Sequence, residues 1–384
     1  MLLTPTLFAA IPLAIWLYLF FVRGNFWQVH EDAIDPQRLE RWPRVVAIVP
    51  ARNEAETIAR TVDSLARQDY PGEYSVIIVD DHSRDVTADL ARKTAQDSPA
   101  AGRIAVRPAA ELPPGWTGKV WATNEGVTAA AGNAPDYFWF TDADISHAPD
   151  TLRRLVFRAE NDSLDLASLM VLLQTRTFPE RLLIPPFLYF FMMLYPLSWV
   201  ADPKARTAAA AGGCILLRRE ALERIGGMAA VRGELIEDCA LARAVKKSSG
   251  KTWLGVTRDS ISLRGYGSFV EIRDMIARTA FTQLRYSPLL LLSALSGLFV
   301  TCLLPGVLFF AYPGEAWLLV DTTVALMAAS FAVTVRFYSL SWPWALTLPL
   351  AALFYGYATC VSAVRYWLGR GGQWKGRAQA PLKT

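Results

Sequence analysis

Apolar residues occur along this chain in short runs and in long ones. The short runs at 44–50 (RVVAIVP), 75–79, 103–106 and 137–140 are rich in β-branched and aromatic residues and predict buried strands. Between them, 54–68 has helical periodicity, a second helix starts near Arg84 with Asp85 in its first turn, and a third is expected over 119–131. Further on, Gly233 to Asp238 open a helix to about 249, a strand follows over 251–256, and 268–286 reads as an amphipathic helix carrying Arg273, Arg278 and Arg285. The long runs are 1–22, 182–201, 288–314, 316–335 and 337–364; none carries a charge except the fourth, with Asp321. About 20 apolar residues cross a bilayer.

Strand and helix alternate from residue 44 onward, which predicts an α/β unit: a mixed, mostly parallel sheet with helices on both faces. Such sheets bind ligands beyond the carboxyl ends of their strands. Pro50, Asp80 and Asp142 stand at such ends. No GxGxxG follows the first strand, so the dinucleotide fingerprint is missing. Asp142 and Asp144, separated by one alanine, follow the run Tyr137-Phe138-Trp139-Phe140. Two hard oxygen donors at one point suit Mg²⁺ or Mn²⁺ with phosphate oxygens and water completing the shell, although the same spacing also fits a surface turn. Of Asp80 and Asp81, one can cap the next helix and the other can accept hydrogen bonds from a base or ribose. Glu237 and Asp238 lie in a first helical turn, where the helix dipole alone would favour a carboxylate. Gly212-Gly213 allows close approach of backbone to a ligand.

Composition ties this unit to a membrane. Hydrophobic residues make up 53% of 384, mean hydropathy is +0.23 and 19% are charged, a mixture that suits one soluble domain joined to membrane segments. The net charge of +4 comes without a basic run interleaved with aromatics, which argues against nucleic acid as a partner. Four cysteines without CxxC spacing and three dispersed histidines (His30, His82, His147) argue against a zinc site. The first run reads as an uncleaved anchor over 1–23 with Arg23 on the cytoplasmic side, followed by a linker over 24–42. The run 182–201 contains Pro185, Pro186 and Pro196 and is expected to lie as an interfacial helix within the catalytic domain. Three C-terminal spans over 289–368 would leave the tail, 369–384, outside together with Arg365 and Arg370, against the positive-inside tendency that Lys375 and Arg377 reinforce.

Four motifs in order, PARNE at 50–54, VDDHSRD at 79–85, TDAD at 141–144 and GELIED at 233–238, resemble the inverting family two glycosyltransferases over residues 43–288. With LPPGWTGK at 112–119, Trp121-Ala122 and Asn124, the chain is similar to the membrane-bound lipid glycosyltransferases, those associated with hopanoid synthesis above all, and also to the ceramide glucosyltransferases. The resemblance implies the GT-A fold plus transmembrane helices. It implies that Ala51, Arg52 and Glu54 line the nucleotide pocket, that Asp80 or Asp81 reads the base and ribose, and that Lys119 meets the diphosphate. It assigns Asp142 and Asp144 to the metal and Asp238 to the base, with Glu237 beside it. Where the family carries Q-x-x-R-W, this chain has Thr282 and Tyr286 around Arg285, which alone carries over as a donor-binding residue.

The expected activity is transfer of one sugar from a nucleotide-diphosphate sugar, a UDP-sugar by resemblance, to a lipid hydroxyl such as that of a hopanoid, other polyisoprenoid or glycolipid. The expected place is the cytoplasmic face of the inner membrane, in a multi-pass protein. A processive polysaccharide synthase is the first alternative, and a non-catalytic membrane scaffold of the same fold the second. The 182–201 run is expected to line the lipid's path to the base.

Overall fold

The computed structural model describes residues 5–31, 34, 36, 39–311, 316–371, 373–374 and 377–378; Lys375 lies outside them. The chain divides into two units, each described by itself. One consists of His30–Gln174, Trp199–Arg264 and Gly372–Thr384, the other of Met1–Val29, Thr175–Ser198 and Gly265–Gly371.

The first unit is built on a sheet of eight strands: β1 (Val45–Ala51), β2 (Tyr74–Asp80), β3 (Ile104–Pro108), β4 (Tyr137–Phe140), β5 (Ile145–His147), β6 (Leu166–Leu172), β7 (Ile215–Arg218) and β8 (Thr252–Ser262), in the order β3-β2-β1-β4-β7-β6-β8-β5. The ladders β1–β2, β1–β4, β2–β3 and β6–β8 are parallel, and β4–β7, β6–β7 and β5–β8 are antiparallel. Alternation along each strand sends side chains to two cores. Val45, Ala47, Val49, Tyr137 and Trp139 pack under helices Ile58–Ala66, Thr87–Asp97 and Thr151–Asn161. Val46, Ile48, Phe138 and Phe140 pack under helices Gly118–Ala130 and Glu237–Lys247. A Cβ on Gly126 would come within 2.4 Å of Ile48, so a glycine lets that helix lie close on β1.

The four early strands fall where the short apolar runs predict them. The helix expected from 54 begins at Ile58, and residues 53–55 ahead of it give their amides to Ser83, Thr87 and Asp85. The apolar pattern does not announce strands β5, β6 and β7, and β8 runs on to Ser262.

Among the described residues the second unit contains three helices long and apolar enough to cross a membrane, Pro288–Phe310, Trp317–Phe337 and Trp342–Trp367, and the shorter apolar helix Pro5–Phe21. The first of the three passes through a π-turn at Phe299–Leu303 just before Pro305. Proline has no N–H for the carbonyl four residues earlier. That carbonyl belongs to Thr301, and Trp16 Nε1, on a side chain with 0% exposure, donates to it at 2.7 Å. Trp16→Phe would strand the carbonyl, and we expect a stability loss of about 1–3 kcal/mol, read as a lower Tm of the detergent-solubilised protein.

The 182–201 run forms the helix Phe178–Leu194, which continues through Pro185 and Pro186 and belongs to this helical unit. Glu180 closes a capping box with Thr177 and also accepts the Tyr266 N–H at 2.6 Å. The amphipathic helix expected over 268–286 breaks into Phe269–Ala277 and Ala280–Gln283, after which Arg285 and Tyr286 both have positive φ (52° and 57°).

Candidate active site

Parallel pairing puts the carboxyl ends of β1, β2 and β4 on one edge: Ala51 lies opposite Asp80, and Ile48 opposite Phe140. Strand β7 runs the other way and starts opposite Phe140, so the turn before it, with Gly212 and Gly213, reaches the same edge. Four turns thus converge, and their side chains build the site.

On the nucleotide side, the Ala51 carbonyl accepts the Asp81 N–H at 2.8 Å. Arg52 is buried; it donates to the carbonyls of Asp81 and His82 and lies 3.6 Å from the Asp81 carboxylate, itself fully buried. Arg52 and Asp81 therefore hold one another. Asp80 is half-buried, with one oxygen accepting from the Ser83 N–H and Oδ1 buried without a hydrogen-bond partner among the described residues. A buried acceptor left unmatched is costly, and a ligand N–H or hydroxyl would satisfy it. The Glu54 carboxylate lies 3.3 Å from Thr57 Oγ1.

At the end of β4 the turn carrying Asp142 and Asp144 is fixed from beneath. The intervening Ala143 carbonyl accepts hydroxyl hydrogens from Thr57 (3.2 Å) and Thr61 (2.9 Å) of the neighbouring segment. Burial first, and then the charges of Asp142 and Glu54, push the Asp144 carboxyl up to about 6. Lys119, in the first turn of helix Gly118–Ala130, bridges Asp142 Oδ1 (2.7 Å) and Glu237 Oε1 (2.6 Å). Burial alone would lower its affinity for a proton, but Asp142 and Glu237 hold it well above the ordinary lysine value.

Asp238 sits at the start of helix Glu237–Lys247. Its Oδ2 accepts the Gly212 N–H at 2.9 Å and its Oδ1 the Cys239 N–H at 2.7 Å. Burial first, then the Glu237 charge, push its carboxyl up to about 6, against Lys119 and these two amides. A Cβ on Gly212 would lie 3.2 Å from Lys119 Nζ, 3.4 Å from Asp238 Oδ2 and 3.8 Å from Asp142 Oδ2. This glycine is the floor on which the cation and two carboxylates meet. Gly212→Ala is expected to cut turnover about tenfold, about 1.4 kcal/mol of barrier, with an unchanged Tm.

Of the residues singled out in the sequence, Ala51, Arg52, Glu54, Asp80, Asp81, Lys119, Asp142, Asp144, Glu237 and Asp238 all belong to the sheet unit, whereas Arg285 belongs to the helical unit. The two residues that depart from Q-x-x-R-W bond to each other: Thr282 Oγ1 donates to Tyr286 Oη at 3.1 Å, and Tyr286 stacks on Tyr366. Sequence reasoning missed Thr57, Thr61, Thr141, His147 and Ser260, whose hydroxyls and imidazole lie under the carboxylates. Their types are ordinary for strands and helices, and only the fold brings them together.

Residues 46–226 match the family model described as glycosyl transferase family 2. Over those residues the chain is similar to the family 2 glycosyltransferases. An N-acetylglucosaminyltransferase of Mesorhizobium japonicum is 30% identical over 201 residues, 49% of this chain and 42% of that protein. A beta-monoglucosyldiacylglycerol synthase of Synechocystis is 35% identical over 116 residues, 30% of this chain and 22% of that protein. The chain thus spans less than half the length of these relatives. A mannosyltransferase of Pyrobaculum calidifontis, solved with GDP-Man and Mn²⁺, superimposes with a TM-score of 0.54 at 19% identity, over 94% of this chain and 99% of that one. The shared fold is the GT-A arrangement, in agreement with the strand and helix alternation and the motifs.

Proposed function

We propose that this protein transfers a single sugar, with inversion, from a nucleotide-diphosphate sugar to a lipid hydroxyl at the cytoplasmic face of the inner membrane. The observation that carries the reading is the meeting of Lys119, Asp142 and Asp238 around Gly212, on the strand edge that also holds the partnerless Asp80 oxygen. Asp238 takes the proton of the acceptor hydroxyl. The acceptor oxygen attacks the anomeric carbon opposite the diphosphate, the carbon–oxygen bond to the diphosphate breaks, and nucleoside diphosphate departs. One displacement with one base inverts the anomeric centre. Lys119 is a cation beside the place where leaving-group charge grows.

Asp142 and Asp144 fit a divalent cation. They are hard carboxylates held by one turn, and burial first, then crowding by like charge, raise the proton affinity of Asp144. Among the described residues no group of three or more His, Cys, Asp or Glu could hold an ion by itself, so phosphate oxygens would complete the shell. Mg²⁺ or Mn²⁺, when bound, supplies positive charge to the diphosphate. The mannosyltransferase with GDP-Man and Mn²⁺ supports the cofactor class, and resemblance favours UDP as the carrier. Asp80 is assigned to the nucleotide's base or ribose, and Arg285 to the donor's charge. The lipid acceptor is supported by the glucosyldiacylglycerol synthase relative and by three helices of spanning length; the hopanoid class rests on the resemblance of the LPPGWTGK stretch.

The test is transfer of label from a panel of nucleotide sugars into membranes carrying the full chain, with Mn²⁺, Mg²⁺ or chelator. Label in one extractable lipid, lost on chelation, is the expected result. Label confined to high-molecular-mass material would replace this reading by a polysaccharide synthase, and metal-dependent nucleotide binding without turnover by a scaffold.

A further inference from the structure

Beneath the active-site edge runs a buried chain of side-chain hydrogen bonds that the chemistry above does not use. Thr141 Oγ1 donates to the Gly213 carbonyl at 2.9 Å. A hydroxyl has one hydrogen, so at its 2.8 Å contact with His147 Nε2 it must accept, and Nε2 carries the proton. Burial keeps this imidazole neutral, pushing its pKa down to about 3, so Nδ1 has a lone pair and accepts from Ser260 Oγ at 2.8 Å. Every bond then points one way: Ser260 in β8 to His147 in β5, to Thr141 after β4, to the turn before β7. Thr141, His147 and Ser260 are 1%, 4% and 0% exposed, and Trp139 lies against the imidazole with ring centroids 4.6 Å apart.

The last two members of this relay abut the carboxylates. Thr141 immediately precedes Asp142, and Gly213 follows Gly212, whose N–H holds Asp238. We propose that His147 is a positioning residue which, by orienting the Thr141 hydroxyl toward the Gly213 carbonyl, fixes the span between the Asp142/Asp144 turn and the turn that holds Asp238. The proposal rests on the reading of these carboxylates as diphosphate-side and base-side groups. The opposite polarity, with the imidazole proton on Nδ1 and Thr141 donating to Nε2, would leave the Gly213 carbonyl without this donor. One aromatic ring with two opposed nitrogens is what spans from β8 to β4 at this depth, and Phe in its place would fill the volume while orienting nothing.

The test uses the detergent-solubilised full chain and Thr141→Val, which keeps shape and removes the hydroxyl, with Thr141→Ser restoring it and His147→Phe as the second route to the same break. The measurements are kcat with the nucleotide sugar that labels lipid, affinity for nucleoside diphosphate with Mn²⁺, and hydrogen–deuterium exchange over residues 208–216. Expected are a fall in kcat of about tenfold or more in Thr141→Val and His147→Phe, unchanged nucleotide affinity, faster exchange over 208–216, and recovery in Thr141→Ser. Unchanged kcat and exchange in Thr141→Val would overturn the proposal. So would parallel loss of affinity, kcat and Tm, which a merely structural role predicts. If the wild type binds nucleotide but transfers nothing, the functional reading fails on its own; exchange over 208–216 then decides the coupling of the two turns, unchanged exchange refuting it.

Discussion

Asp238→Asn should lower kcat for sugar transfer by about 10²–10⁴-fold while nucleoside diphosphate binding is retained. Asparagine keeps one acceptor oxygen where aspartate uses two, Oδ2 for the Gly212 amide and Oδ1 for the Cys239 amide, so the variant loses the proton acceptor together with one of these bonds. The wild type also carries a pH signature of this carboxylate. Burial and Glu237 raise it to about 6, so below that pH it is protonated in the folded protein and unable to accept the hydroxyl proton. Turnover is therefore expected to rise with pH through about 6 and level off above, a limb that the Asn variant lacks. The linkage to folding has the opposite sign. A carboxyl whose folded value lies above the ordinary 3.8 binds its proton more tightly in the folded state, so its contribution to stability declines as pH rises from about 4 to about 6. A pH profile of kcat beside a Tm series checks both, and an Asn variant with wild-type turnover would remove Asp238 from the chemistry.

The second large effect belongs to Asp144. Asp144→Asn should abolish stimulation of nucleoside diphosphate binding by Mn²⁺ or Mg²⁺ and cut kcat/KM at least 10²-fold, equivalent to about 3 kcal/mol. Its effect on the metal-free protein runs the other way. The carboxylate is crowded by Asp142 and Glu54 in a buried turn, and an uncharged amide of the same shape relieves that repulsion. Without metal the variant should melt above the wild type; with saturating Mn²⁺ the order should reverse, since only the wild type gains binding energy from the ion. Thermal melts with and without the ion decide this, and a variant that keeps full stimulation would move the metal elsewhere.

Both predictions rest on residues visible in the sequence, and the reason is local. An apolar run ended by a carboxylate marks the carboxyl end of a parallel strand, and that rule alone places Asp80 and Asp142. The first turn of a helix places Glu237 and Asp238. The hidden parts depend on contacts far apart in the chain. Strand β7 is four residues long and comes after a string of alanines and glycines, so nothing in its pattern announces an antiparallel partner for β4. The polar relay through His147 joins residues as much as 113 positions apart, each of which reads by itself as an ordinary strand residue. Pattern also misleads at 268–286, where a helical period continues across Arg278 and Thr279 although the helix does not. Pro185 and Pro186 lie within the helix expected there, and the backbone stays helical through them, with Leu183, Ile184, Tyr189 and Met192 wholly buried within the helical unit.

The bond from Trp16 to the Thr301 carbonyl makes the N-terminal helix a fitted part and not an interchangeable anchor. Transplanting any other apolar segment of equal length and hydropathy would supply grease but no donor, and the carbonyl exposed by Pro305 would have to find another partner in surroundings that offer few. Fusions or exchanges at this end of the chain would therefore preserve function best when they begin ahead of Pro5 and leave the indole in register with the π-turn.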